Sequence, residues 1–319
     1  MRFALMTEPQ QGLTYAEILA IATTAEAAGF DAYFRSDHYA SFPGESGLTT
    51  TDAWATLAGL ARETTTIRLG TLVSPVTFRV PGNLAKLIQT VDEMAEGRIE
   101  AGFGAGWNEE EHAQLGIRFP TLGERYDMLE EQMAIIHGLW TEPDGWSFDG
   151  RHWQVQAARR HGQVARNGRR HPHIIFGGKG QRRMASLVAR FGDEFNLISA
   201  GPEDVTPAYR RVHDACRAVG RDPEQLVYSA MTGVLVAETE SDLQARVADL
   251  LAAFGQSAED GDAWLAERRK RWVMGTPDEA HERARALGDK GVQRIMLQDF
   301  LPRDLEHVQL MGHIFATGT

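Results

Sequence analysis

Residues Ile67–Gly106 read IRLGTLVSPVTFRVPGNLAKLIQTVDEMAEGRIEAGFGAG. Ile67–Val73 is a short apolar run with the look of a buried strand. Leu84, Leu87, Ile88, Val91 and Met94 then recur at helical spacing, and Gly97 closes that helix. Ile99–Gly104 is a second strand, and glycines follow it. Strand, amphipathic helix, strand is the unit of a parallel sheet with helical crossovers.

The same unit repeats on both sides. Upstream lie a strand at Arg2–Met6, a helix at Tyr15–Ala28, a strand at Phe30–Arg35 and a helix at Thr51–Glu63. Downstream come a strand at His173–Phe176, a helix at Gln181–Phe191 and a strand at Glu194–Ile198. Thr206-Pro207 is read as the N-cap and first residue of the next helix. Val227–Val236 is a strand, Thr239 with Asp242 opens a helix, and Thr276-Pro277-Asp278-Glu279 is a capping box with proline at N1. Arg294–Leu297 and Asp304–Phe315 are the last strand and helix. About eight strand–helix pairs predict an α/β fold of the (β/α)8 TIM-barrel kind, which typically takes about 250 residues. A doubly wound sheet places its phosphate-binding glycines after the first strand, whereas here they come late. The surplus length falls at 141–171, with a hairpin expected at Trp146–Val155, and at 237–271. Both are read as insertions, after strands four and seven of one barrel domain spanning 1–319.

The chain has 319 residues and a formal charge of −11, from 33 Lys+Arg against 44 Asp+Glu. Nucleic acid is therefore not an expected partner, because binding it needs a surplus of cations. The single cysteine, Cys216, leaves no disulfide framework and no cysteine-based zinc site. No targeting segment and no run of roughly 20 apolar residues is visible, so a cytoplasmic protein without a membrane span is expected.

In a barrel the chemistry sits where strands run out into the following loops. Ser36-Asp37-His38 follows the second strand. A lone histidine is more often structural than catalytic, but the place of His38 at a strand end reverses that: it could donate to a substrate oxygen or act as an acid, and Asp37 could accept from a ligand. Gly102–Asn108 (GFGAGWN) follows the fourth strand; its glycines either admit a flat ligand or allow close packing of strand and helix. Trp107 there is a stacking platform or loop packing. Gly177-Gly178-Lys179-Gly180 precedes a helix whose free N–H groups, with Lys179, Arg182 and Arg183, could hold a phosphate; an ordinary tight turn is the alternative. His171-Pro172-His173 is a poor metal motif, since proline imposes an extended geometry, and no metal is expected. Glu109–Glu111 read as the start of a solvated helix, and Glu267–Trp272 (ERRKRW) as a solvated face or a lid.

Five segments lie in the order and spacing of one family: SDHY at Ser36–Tyr39, LGTLVSPVTFRVPGNLAK at Leu69–Lys86, GRIEAGFGAGWNEEEH at Gly97–His112, GERYDMLEE at Gly123–Glu131 and IIFGGKG at Ile174–Gly180. On these, nearly the whole chain resembles the bacterial luciferase-like monooxygenase superfamily, in its branch of coenzyme F420-dependent oxidoreductases. The resemblance implies a flavin or deazaflavin at the C-terminal mouth of the barrel, and a homodimer. It implies a bulge in the third strand with a cis bond at Leu72–Val73, against which the ring system leans. It matches Asp37 to a residue contacting the deazaflavin, His38 to the active-site histidine, and Gly104, Ala105 and Gly106 to the loop beside the ring, where Trp107 follows. Gly177, Gly178 and Lys179 match the cofactor-phosphate loop. The sugar-phosphate dehydrogenases of this branch carry a catalytic glutamate where this chain has Trp107.

The function so implied is hydride transfer between F420 and a small organic substrate, with His38 moving the proton. Two alternatives stay open: an FMN-dependent two-component monooxygenase on the same fold, and a non-catalytic F420- or flavin-binding protein. A metal-dependent barrel hydrolase is more distant.

Overall fold

The computed structural model describes residues 1–42, 45, 47–159 and 170–316. In chain order, β1 (Arg2–Thr7) leads to α1 (Tyr15–Ala27), β2 (Ala32–Arg35) to α2 (Ala53–Glu63), and β3 (Arg68–Pro75) to α3 (Pro81–Met94). β4 (Ile99–Gly104) is followed by α4 (Glu109–Gln114) and α5 (Leu122–Thr141), then by β5 (Trp146–Asp149) and β6 (Gln154–Ala158). β7 (His173–Gly178) leads to α6 (Arg182–Phe191), and β8 (Glu194–Leu197) to α7 (Pro202–Ala218). After β9 (Val227–Val236) come α8 (Glu240–Ala253), α9 (Ala258–Arg271), a short β10 (Val273–Gly275) and α10 (Pro277–Gly288); β11 (Arg294–Asp299) and α11 (Leu305–Phe315) complete the order.

Parallel pairing runs β9-β11-β1-β2-β3-β4-β7-β8, and β8 pairs back to β9, closing an eight-stranded barrel. Alternation along each strand sorts the side chains. Phe3, Leu5, Tyr33, Leu69, Phe103, Ile174 and Phe176 pack outward against the helices. Ala4, Met6, Ala32, Phe34, Leu72, Ile175, Met231 and Met296 form a separate cluster inside the barrel. Both faces are covered, so these strands read as nearly continuous apolar runs.

The strand period of two also stacks the interior in layers. On β11, Arg294, Met296 and Gln298 share one face and run from the N-terminal end to the C-terminal mouth. Arg294 is fully buried and faces Glu100 at 2.5 Å, Glu194 at 3.3 Å and Asp31 at 3.0 Å. Its charge is held up, against the cost of burial, by those carboxylates. His173 bonds Glu194 at 3.1 Å, and its pKa is raised because Glu194 and Glu100 outweigh desolvation. An ion cluster thus plugs the floor, apolar side chains fill the middle, and polar ones reach the mouth.

Both insertions occupy the expected places. The β5–β6 hairpin is antiparallel and leans on α5. The Glu131 carboxylate of α5 accepts from the N–H groups of Arg151, His152 and Trp153 at the turn. Residues 160–169 of the first insertion, with Gly162 and Gly168, lie outside the described residues. In the second, α8 and β10 supply Leu243, Val247, Leu250 and Met274 to a small core of their own, with Trp264, Trp272 and Phe300 against it.

Thr276 and Glu279 form the expected capping box, but α7 differs from expectation. It begins at Pro202, not beyond Thr206, and carries Pro207 inside. The Asp204 carboxylate accepts from the Gly201 N–H at 3.0 Å. Gly-Pro-Glu-Asp is therefore the stronger start signal, and Pro207 forfeits a single helical bond early in the helix.

Candidate functional site at the barrel mouth

The loops after β1 to β4 and β7 build the mouth. At the end of β1, Glu8 is buried, and its two oxygens accept from Gln298 at 2.6 Å and Gln10 at 2.7 Å. Gln10 in turn accepts from the Ser36 hydroxyl at 2.6 Å and donates to the Phe42 carbonyl at 3.3 Å. The buried Gln10 amide thus braces both ends of the segment carrying His38.

His38 is the residue best placed for chemistry. Its side chain is 15% exposed, and Nδ1 meets both oxygens of Glu111, at 2.9 and 3.1 Å. Glu111 is only 1% exposed and also accepts from the Tyr39 N–H at 3.0 Å. A carboxylate can only accept, so Nδ1 carries a proton and Nε2 is left for a ligand. This corrects the reading of Glu109–Glu111 as a solvated face: Glu109 and Glu110 are exposed, Glu111 is not. Asn108 caps α4, which makes Glu111 the N3 residue. Side chains at N3 turn back toward the helix start, here toward the strand ends. That capping pattern is the signal in the sequence that could have singled Glu111 out. His112 beside it is structural: Nδ1 donates to the Asn108 carbonyl at 2.6 Å, so Nε2 accepts from Thr77 Oγ1 at 2.6 Å.

Asp37 points away from solvent. Its oxygens accept from Arg79 at 2.5 and 3.2 Å and from Ser74 at 2.7 Å, and Ser74 accepts from the Trp54 indole at 3.0 Å. Arg79 also donates to Tyr39 at 2.8 Å and to Asp52 at 2.5 Å. Burial opposes the charge of Arg79, but Asp37, Tyr39 and Asp52 raise its pKa; burial and Asp52 together raise that of Tyr39. Asp37 was read as a free acceptor for a ligand, whereas its acceptors here are engaged by Arg79 and Ser74. Arg79, at the end of the segment Thr71–Arg79 that follows the third strand, ties the β2 and β3 loops together.

The Leu72–Val73 bond is cis, and the register with β4 slips between Thr71 and Ser74. Val73 explains several glycines. A Cβ on Gly104 would lie 2.5 Å from Val73 Cγ2, and one on Gly177 2.8 Å from Val73 Cγ1. One on Gly102 would strike the Thr71 carbonyl. Of the two readings of the glycines after the fourth strand, close packing describes Gly104: the methyls of Val73 take that space, as they do at Gly177. Gly106, at φ +77°, turns the chain between Ala105 and Trp107. Trp107 is exposed and meets His38 edge-on.

The Gly177–Gly180 loop runs into α6, whose N-cap residue Gln181 makes no side-chain cap and whose first turn holds no acidic residue. Arg211 donates to the carbonyls of Lys179 and Gly180, each at 2.9 Å, and holds the loop from below. Arg183 is paired with Asp127. Lys179 and Arg182 are exposed and make no ion pair among the described residues. Uncapped N–H groups beside two unspent cations form a donor set that suits a phosphate.

Against known proteins the relationship is plain. The sequence pattern of luciferase-like monooxygenases matches residues 1–298, and the chain belongs to that family. It is 25% identical over 305 residues to an F420-dependent glucose-6-phosphate dehydrogenase of Amycolatopsis mediterranei (strain U-32), covering 88% of this chain and 87% of that one. It is 27% identical over 268 residues to pyrimidine monooxygenase RutA of Stutzerimonas stutzeri (strain A1501), covering 82% and 71%. An F420-dependent secondary alcohol dehydrogenase, solved with an F420–acetone adduct, superposes with a TM-score of 0.82 at 18% identity over 98% of this chain and 97% of that one. That likeness speaks for the fold. No helix among the described residues is long and apolar enough to cross a membrane.

Proposed function

We propose that the protein is an F420-dependent oxidoreductase acting on a small organic substrate, with His38 as the residue that gives or takes the proton. The observation that carries this is His38 at the mouth, held at Nδ1 by the buried Glu111 and free at Nε2. The F420-dependent relative supports the choice of cofactor. Gly177, Gly178 and Lys179, with the uncapped start of α6, would hold the cofactor's phosphate, and Arg182 adds charge there. Leu72 and Val73 would support its ring system from below, with Ala105 and Gly106 beside it. Asp37 acts through Arg79 and Ser74, fixing the β2 and β3 loops relative to each other. The cofactor, when bound, supplies a hydride donor or acceptor. The protein orients the substrate, and Glu111 stabilises the charged imidazole while His38 holds the proton.

Titration of the purified protein with F420 and with FMN tests the assignment directly. F420 is expected to bind, and His38→Ala to lower turnover about 10²-fold or more with F420 affinity unchanged. FMN binding with substrate-dependent oxygen uptake would replace this reading by the monooxygenase one, which the RutA relative supports. Cofactor binding without turnover on any substrate, indifferent to His38→Ala, would leave a binding protein.

A further inference from the structure

Trp107 is 63% exposed, more than any other large apolar side chain among the described residues. Its ring stands edge-on to His38, with centroids 5.7 Å apart at 72°, and to Phe42 at 5.0 Å and 82°. Phe42 meets His38 at 4.5 Å and 85°. Three rings at near right angles make a corner, with the candidate proton-transfer group as one wall. An indole left in water beside a functional imidazole is apolar area that a ligand can cover.

The charges around this corner exclude one kind of ligand. Arg79 is spent on Asp37 and Asp52. Arg35 is buried and donates to Ser36, Thr51 and Thr56. Arg125 lies over the Phe119 ring, and Arg271 is paired with Glu203 and Asp204. Lys179 and Arg182 belong to the loop assigned above to the cofactor's phosphate. Arg125 is buried, and among the described residues of the β2, β3 and β4 loops no exposed, unpaired cation stands ready for a phosphate or carboxylate; Glu111 lies directly behind His38.

We propose that the substrate is an uncharged alcohol or carbonyl compound with a flat apolar body, seated against Trp107 and Phe42 with its oxygen toward His38 Nε2, and not a sugar phosphate. This rests on the reading of His38 as the proton-transfer residue. Trp107 and Phe42 are then specificity-determining residues: the indole supplies a face and Phe42 closes the corner.

Saturation-transfer NMR on the cofactor-free protein, with benzyl alcohol and glucose 6-phosphate as probes, tests it without turnover. Benzyl alcohol is expected to bind through its ring protons, and glucose 6-phosphate to give no transfer once excess inorganic phosphate occupies the Lys179 loop. Trp107→Ala should weaken benzyl alcohol about tenfold, and Trp107→Phe about threefold or less. F420 affinity, followed by its own fluorescence, should stay the same in both variants. Trp107 is mostly in solvent, so the alanine variant should keep the wild-type melting temperature. Binding of glucose 6-phosphate at the mouth, no binding of benzyl alcohol, or an unchanged benzyl alcohol Kd in Trp107→Ala would each overturn the proposal. Failure of the underlying reading shows elsewhere, as absent F420 binding or full turnover in His38→Ala, and leaves the probe-binding result standing.

Discussion

At the scale of single residues, the decisive pair is His38 and Glu111, 73 positions apart. An imidazole whose Nδ1–H is held by a buried carboxylate has one tautomer and one orientation, which is what a proton-transfer group requires. Glu111→Gln keeps the volume and an acceptor for the Tyr39 N–H but removes the charge behind the ring. It is expected to lower kcat by about tenfold to hundredfold, with KM and cofactor affinity little changed. Steady-state kinetics on the purified variant check this. A structural role alone would lower the melting temperature and leave kcat per folded molecule intact. His38 was legible in the sequence because SDHY falls at a strand end. Its partner was hidden in a run of three glutamates, of which only the fold buries one.

At the scale of elements, the third strand shapes the site. Its bulge turns Val73 inward, and three glycines on two neighbouring strands clear a path for it. Gly104→Ala would force a methyl to within 2.5 Å of a stiff β-branched side chain and is expected to cost about 1–3 kcal/mol. Val73→Ala should recover most of that loss in the double variant. Gly102→Ala should not be rescued in this way, because its methyl meets the Thr71 carbonyl, which no side-chain change removes. Urea midpoints of the two singles and two doubles decide it, provided the slope stays constant. The glycine pattern was plain from the sequence, and its reason was not. GFGAG allowed either a ligand or a packed neighbour, and spacing alone carries no information about which side chain arrives from the next strand.

At the scale of the whole molecule, the barrel separates its polar ends. The floor is closed by Arg294 with Glu100, Glu194 and Asp31, while the mouth carries Glu8, Gln298, His38 and Glu111. Arg294, Arg68 and His173 meet the carboxylates of the floor, and the middle layer of methionine, alanine and phenylalanine isolates it from the mouth. Arg294→Met would leave two buried carboxylates facing an apolar side chain and is expected to cost about 3–5 kcal/mol. Adding Glu100→Gln and Glu194→Gln should return part of it, and denaturant unfolding measures both. The mouth lies at the opposite end, so cofactor affinity of the folded Arg294→Met fraction should remain that of the wild type.

Period and punctuation in the sequence determined the barrel, a hairpin expected at 146–155 and the strand ends that carry the candidate site. These follow from local rules: alternation along strands, helical spacing, prolines and caps at helix starts. Tertiary structure alone decided that Asp37 is engaged by Arg79, that Val73 fills the glycine cradle and that Glu111 stands behind His38. Each depends on side chains 31 to 104 positions apart being brought within contact by barrel closure. The same closure set Trp107 and Phe42 at right angles around His38, a corner that no linear spacing encodes.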